Sequence, residues 1–155
     1  IDLRGNPGGY LDTAISMASY FLPSSAVVVS EHFGENKPDQ VYYSQGYNIF
    51  DKKLKTVILI NGGSASASEI LAGALKENGV ATLVGETSFG KGSVQELIPV
   101  TADTSLKITV AKWLTPKGNS ISKVGITPDV VVKPDTKNPK NDVQLKKAIE
   151  ILNKK

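Results

Sequence analysis

The chain has 155 residues, 40% of them hydrophobic and 21% charged, a size and balance that support one compact unit with a real core. Its net charge of +3 comes from lysines spread along the chain that gather only over residues 133–155; a nucleic-acid footprint needs clustered basic residues and stacking aromatics, so a solvated lysine-rich tail is the simpler reading. The absence of cysteine excludes disulfides, thiolate metal sites and a cysteine nucleophile, and no apolar run is long enough to span a bilayer.

Residues 1–3 read as a strand, and because the chain opens inside it without an initiator Met, a piece of a longer polypeptide is expected. Arg4-Gly5-Asn6-Pro7-Gly8-Gly9 follows, rich in residues that form turns. Leu11, Ala14, Ile15, Ala18, Phe21 and Leu22 then recur at helical spacing until Pro23 stops them. Residues 27–33 and 40–45 read as two β segments joined by Gly34-Glu35-Asn36-Lys37-Pro38, which predicts a hairpin. The single histidine, His32, falls in the first of these; a half-exposed strand residue is the default there and a catalytic imidazole the rarer alternative.

Thr56-Val57-Ile58-Leu59-Ile60 is a continuous β-branched run, as expected for a strand buried on both faces. It leads into Asn61-Gly62-Gly63-Ser64-Ala65-Ser66-Ala67-Ser68-Glu69 and a helical stripe of Ala67, Ile70, Leu71, Ala74 and Leu75 that ends at Asn78-Gly79. A short strand over 82–86 precedes a second glycine loop, 85–92. Strand-like segments follow at 94–100 and 106–114, a turn at 115–119, and a last apolar piece at 130–132. Residues 133–141, with Pro134 and Pro139, read as a linker, and Val143, Leu145, Ala148, Ile149 and Leu152 predict a terminal amphipathic helix. Strand-loop-helix units with glycines at the strand ends point to a mixed α/β domain with a site where the loops converge.

Two loops carry candidate chemistry. Ser64, Ser66 and Ser68 lie between a buried strand and a helix, where a serine can be exposed as a nucleophile and the first helical N–H groups, with Ala67 as the candidate donor, can hold an oxyanion. The competing reading is a capping box in which Ser66 caps the helix and Glu69 answers back. In the second loop, Gly85-Glu86-Thr87-Ser88-Phe89-Gly90-Lys91-Gly92 misses a nucleotide-binding loop by one residue, because Gly92 stands where a metal-binding hydroxyl is needed, and the next residues have β composition. No nucleotide is expected. Lys91 can instead be a general base if held neutral, against the alternative of an exposed surface lysine. Lys91, Ser93 and Gln95 share one face if extended, yet a straight strand separates Lys91 from Gln95 by roughly 13 Å at about 3.3 Å per residue. If Gln95 orients Lys91, a bend is expected at Gly92.

Four ordered blocks resemble the signatures of the carboxy-terminal processing (tail-specific) serine peptidases. They are Asp2 to Gly9, Gly63 to Ile70, Gly85 to Gln95, and Thr115-Pro116 through Gly125-Ile126-Thr127-Pro128-Asp129. The resemblance implies Ser66 as nucleophile, Lys91 as general base, Gln95 as the residue positioning the lysine, and an oxyanion hole from Ala67 N–H with Gly8 or Gly9. It implies a Clp-protease/crotonase-like spiral of β-β-α units with a mixed sheet and flanking helices, a partial catalytic core over residues 1–132, and a linker and helix over 133–155. It further implies a serine endopeptidase cleaving polypeptides near their C-termini without a cofactor or metal, a PDZ domain elsewhere in the full-length chain, and work in the bacterial cell envelope or outside the cell. A non-catalytic peptide-binding module of the same fold is the alternative, and a coenzyme-A hydratase or hydrolase on the related fold is a further one.

Overall fold

A computed structural model describes residues 1–47, 49–50 and 53–154. In chain order it contains α1 (Leu11–Ser19), β1 (Val27–His32), β2 (Gln40–Tyr43), β3 (Thr56–Ile60), α2 (Ala67–Glu77), β4 (Ala81–Gly85), β5 (Ser93–Pro99), β6 (Ser105–Leu114), β7 (Val130–Val131) and α3 (Val143–Asn153). The mix of strands and helices read from the sequence is present, with the strands divided between two sheets. One is antiparallel, in the order β2-β1-β6-β5, and the other parallel, in the order β3-β4-β7.

The expected strand over residues 1–3 is reduced to a single parallel bridge, Asp2 to Leu59. Leu3 N–H donates to the Leu59 carbonyl at 2.9 Å and Leu59 N–H to the Ile1 carbonyl at 2.9 Å. This contact delivers the first glycine loop to the C-terminal end of β3, where the serine loop also begins.

The continuous apolar run of β3 is explained by burial on both faces. Ile58 and Ile60 enter a main core with Ala18, Leu22, Val28, Leu75 and Leu83, while Val57 and Leu59 join Val84 and Ala148 in a second cluster. Each such side chain contributes about 1.5–3 kcal/mol when removed from water. The second cluster is roofed by α3, so the C-terminal helix is part of the folded body.

Helix ends follow the sequence signals. α1 stops at Ser19 and residues 20–22 finish as turns, with Phe21 N–H donating to the Ala18 carbonyl at 3.0 Å. α2 ends with Gly79 at φ 71°, Gly79 N–H bound to the Lys76 carbonyl and Val80 N–H to the Leu75 carbonyl, the paired bonds of a left-handed glycine stop. His32 pairs with Asp39 at 2.8 Å across the hairpin, the half-exposed strand role.

α3 is capped by Asp142, whose carboxylate accepts from Leu145 N–H at 2.9 Å. The same carboxylate takes Arg4 in a two-pronged contact, from Nη1 at 2.9 Å and Nη2 at 2.8 Å. Arg4 also grips Asp2, from Nε at 3.0 Å and Nη2 at 2.7 Å.

These bonds to Arg4 hold the carboxyls of Asp2 and Asp142 below the ordinary range, partly opposed by burial at each. A depressed carboxylate contributes stability that is complete above the unfolded value, near pH 3.9, and is lost as the pH falls through the lower folded value. The melting-temperature deficit of Asp142→Asn, measured by thermal circular dichroism at about pH 7, should therefore shrink markedly by about pH 2.5. An undiminished deficit in acid would mean that the ion pair adds nothing.

Candidate active site

The serine loop turns sharply out of β3. Ser66 adopts φ 57° and ψ −120°, a backbone state that costs a non-glycine residue about 1–3 kcal/mol and persists only where surroundings enforce it. The three serines separate clearly. Ser64 is fully buried, its hydroxyl donating to the Leu3 carbonyl at 2.7 Å and accepting from Asn61 N–H at 3.0 Å. Ser68 is also buried. Ser66 and Ala67 remain partly accessible at the start of α2.

The first glycine loop is pressed against this turn. A Cβ on Gly8, at φ 91°, would stand 2.5 Å from the Ala65 carbonyl oxygen, 2.7 Å from Ala67 N and 2.9 Å from Ser66 Cβ. Only glycine fits such a contact. Gly8 N–H is already given to the Asn6 side chain at 3.0 Å. Among the described residues, neither Gly9 N–H nor Ala67 N–H meets an acceptor. The choice left open between Gly8 and Gly9 thus acquires a geometric distinction: one amide is engaged and the other is free.

Glu69, which the sequence marks only as a helix cap, ties the two loops together. It is 0% exposed, and its carboxylate accepts four hydrogen bonds from two loops. Oε2 takes Ser66 N–H at 2.8 Å and Lys91 N–H at 2.9 Å. Oε1 takes the Ser88 hydroxyl at 2.5 Å and Gly90 N–H at 2.6 Å. The returning arm of the capping box is therefore real, and it coexists with an accessible Ser66. The signal available in the sequence was the acidic residue three places after the serine; its reach to the second loop was not encoded in any local pattern.

The same bonds engage the backbone of the second glycine loop. Gly90 and Lys91 N–H groups face the Glu69 carboxylate, and the loop runs into strand β5 instead of a helix. It is braced from outside by the fourth block. Ser88 N–H donates to the Ile126 carbonyl at 3.1 Å, Ile126 N–H donates to the Ser88 hydroxyl at 2.6 Å, and Lys123 N–H donates to the Gly90 carbonyl at 2.9 Å. Gly92 does not adopt a left-handed backbone to make the expected bend. It is required for closeness, because a Cβ there would lie 2.2 Å from Ser122 N.

Lys91 and Gln95 have exposed side chains. Among the described residues, no hydrogen bond joins the Lys91 amine to Ser66 or to Gln95. What the fold brings together is the backbone of Lys91 and that of Ser66, side by side on one carboxylate oxygen.

Beside the free amides lies a cleft of about 230 Å³, bordered by Gly8, Gly9 and Ala67 and floored by Leu3, Ala14, Met17 and Leu71. Its lining is mostly apolar. Among the described residues, no group of His, Cys, Asp and Glu side chains is arranged to hold a metal ion.

Two sheets with helices packed around a strand-end serine turn define the Clp/crotonase-like class of fold. Within it the chain belongs to peptidase family S41, whose family profile matches residues 1–132. It is 42% identical over 154 residues to the carboxy-terminal processing protease CtpB of Bacillus subtilis (strain 168), covering 97% of this chain and 31% of that protein. It is 46% identical over 133 residues to the carboxy-terminal-processing protease of Bartonella bacilliformis, covering 86% of this chain and 30% of the relative. Among solved structures, the photosystem II D1 C-terminal processing protease matches 99% of the chain with a TM-score of 0.79 and 31% identity, and the chain covers 38% of it. The chain thus spans about a third of the length of these relatives.

Replacing Glu69 with alanine leaves three N–H groups and a hydroxyl without an acceptor in a buried place. Chemical denaturation should register a loss of about 3 kcal/mol or more. Ser66→Ala, at a partly accessible position, should stay within about 1 kcal/mol of the parent. Equal losses for the two variants would contradict the central role of the carboxylate.

Proposed function

We propose that this chain carries the nucleophile and base of a serine endopeptidase that cleaves polypeptides near their C-termini. The observation that supports this most is the serine turn itself, with Ser66 partly accessible in a strained backbone state and two unengaged amides, Ala67 and Gly9, on the rim of the adjoining cleft. In the proposed reaction the Lys91 amine accepts the Ser66 hydroxyl proton as Oγ attacks the substrate carbonyl. Ala67 and Gly9 N–H groups stabilise the oxyanion. The Lys91 ammonium then returns the proton to the departing amine; water, deprotonated in turn by Lys91, attacks the acyl carbon, and as the carbon–Oγ bond breaks Ser66 Oγ takes that proton back from Lys91.

Lys91 and Ser66 share the Glu69 anchor through their backbones, and the four-carbon stem of lysine gives its amine the reach to meet the hydroxyl. A bound polypeptide, lying against the sheet edge, would cover the exposed amine. Gln95 is assigned the positioning of that amine. The apolar cleft beside the two amides suits an uncharged side chain of the residue that supplies the attacked carbonyl. A PDZ domain elsewhere in the whole protein would present the substrate tail. The cell envelope or the exterior of a bacterium is the proposed location; no described helix is long and apolar enough to cross a membrane.

In the whole protein, Ser66→Ala and Lys91→Arg should each reduce turnover by orders of magnitude, the latter because a guanidinium does not give up its proton. Gln95→Ala should fall less and alter the pH-rate profile. A serine-directed phosphonate should label Ser66; absence of labelling together with measurable peptide affinity would favour a binding module of the same fold. Peptides carrying Ala or Val before the cut should be turned over at least about tenfold faster than those carrying Asp, given the cost of leaving a charge in an apolar cleft. Equal rates would reject the assignment of that cleft.

A further inference from the structure

The family match ends at residue 132, yet the helix beyond it is bonded to Arg4, at the start of the first glycine loop. Arg4 immediately precedes the glycine loop that carries Gly8 and Gly9. Its guanidinium is only 20% exposed and is held on one side by Asp2 and on the other by Asp142, the cap of α3. Gln144, in the first turn of α3, accepts from Arg4 Nη1 at 3.1 Å and donates to the Val132 carbonyl at 2.7 Å, and is itself 3% exposed. From Arg4 onward the loop is pinned by Gly5 N–H to Asn61 Oδ1 at 2.9 Å and by Ala65 N–H to the Asn6 carbonyl at 3.0 Å. A continuous chain of bonds thus runs from the start of α3 to the backbone just before Ser66.

We propose that Arg4, Asp142 and Gln144 form a positioning clamp through which the C-terminal helix sets the Gly9 amide relative to Ser66. The physical reason is geometric. Planar guanidinium-carboxylate pairs on two sides fix the direction of the Arg4 side chain as well as its place, and the loop leaves Arg4 through Gly5 at φ 66°, with nothing around Gly5 close enough to meet an added Cβ. Packing of the glycine loop at Gly8 limits its approach to Ser66; the clamp limits its rotation. Oxyanion donors must be in place before charge develops, and small displacements of them weaken the transition state without weakening ground-state binding. This inference rests on the peptidase reading for its catalytic half, while the coupling of loop to helix stands on its own.

The test uses the whole protein and two variants that loosen α3 in different ways. Asp142→Asn keeps a good helix cap and removes the charge facing Arg4. Ile151→Ala trims the packing of α3 on the second core and leaves Arg4 untouched. With a peptide substrate, Asp142→Asn should lower kcat about tenfold with KM within about twofold, the pattern of an interaction realised in the transition state, whereas Ile151→Ala should lower the melting temperature and leave kcat within about twofold. Amide hydrogen exchange of Gly5 and Ala65 should be at least about tenfold faster in Asp142→Asn than in the parent. An unchanged kcat in Asp142→Asn, or an equal fall in both variants, overturns the catalytic half. Unchanged exchange overturns the clamp itself. If the parent protein neither cuts peptides nor reacts at Ser66 with a phosphonate, the peptidase reading fails, and the exchange rates still decide whether the helix holds the loop.

Discussion

A single buried carboxylate joins the two halves of this site. Among the described residues Glu69 has no cationic partner, and taking an unpaired charge from water is among the most expensive operations in folding. The cost is offset because three backbone N–H groups and one hydroxyl converge on it. They come from two segments, the turn after β3 and the loop after β4, which are also joined by Phe89 N–H to the Ser64 carbonyl at 2.9 Å. Charge-assisted hydrogen bonds of this kind are stronger than neutral ones, so the serine turn and the lysine loop are held in one frame by an interaction that neither could satisfy alone.

That frame explains several constraints around it. Ser66 tolerates its unusual backbone because Glu69 holds its N–H from one side and Gly8 packs against it from the other. The lysine loop is pressed between Glu69 and the segment 121–126, where Gly90, Gly92 and Gly125 permit approaches that any side chain would block. β3 underlies both, sending alternate residues into two separate cores, so the strand that launches the serine turn is buried on both faces.

Much of this was legible in the sequence because local rules agreed with the tertiary outcome. The β-branched run of β3, the glycine stop of α2 and the apolar stripe of α3 each depend on neighbouring residues, and their boundaries matched within a residue or two. The three serines were not separable by spacing, since only burial distinguishes Ser64 and Ser68 from Ser66. Gly92 illustrates another limit: its necessity was visible, but its cause is contact with Ser122, a residue far along the chain. The segment expected as a strand at residues 1–3 shows how pairing, more than composition, decides whether a stretch becomes one. Glu69 and Arg4 were the least legible, because what matters in each is the number of distant donors or acceptors that their side chains gather.

The margin formed by β5 has a practical meaning of its own. It is the outermost member of its sheet, and the hairpin it makes with β6 presents Leu97, Val100 and Leu106 at 64%, 63% and 53% exposure. Backbone groups along such a border are a template for recruiting another chain, and greasy residues strengthen the attraction. A concentrated preparation of these 155 residues would therefore be prone to self-association through that border, and a lysine introduced at Leu97 is the natural way to keep it dispersed.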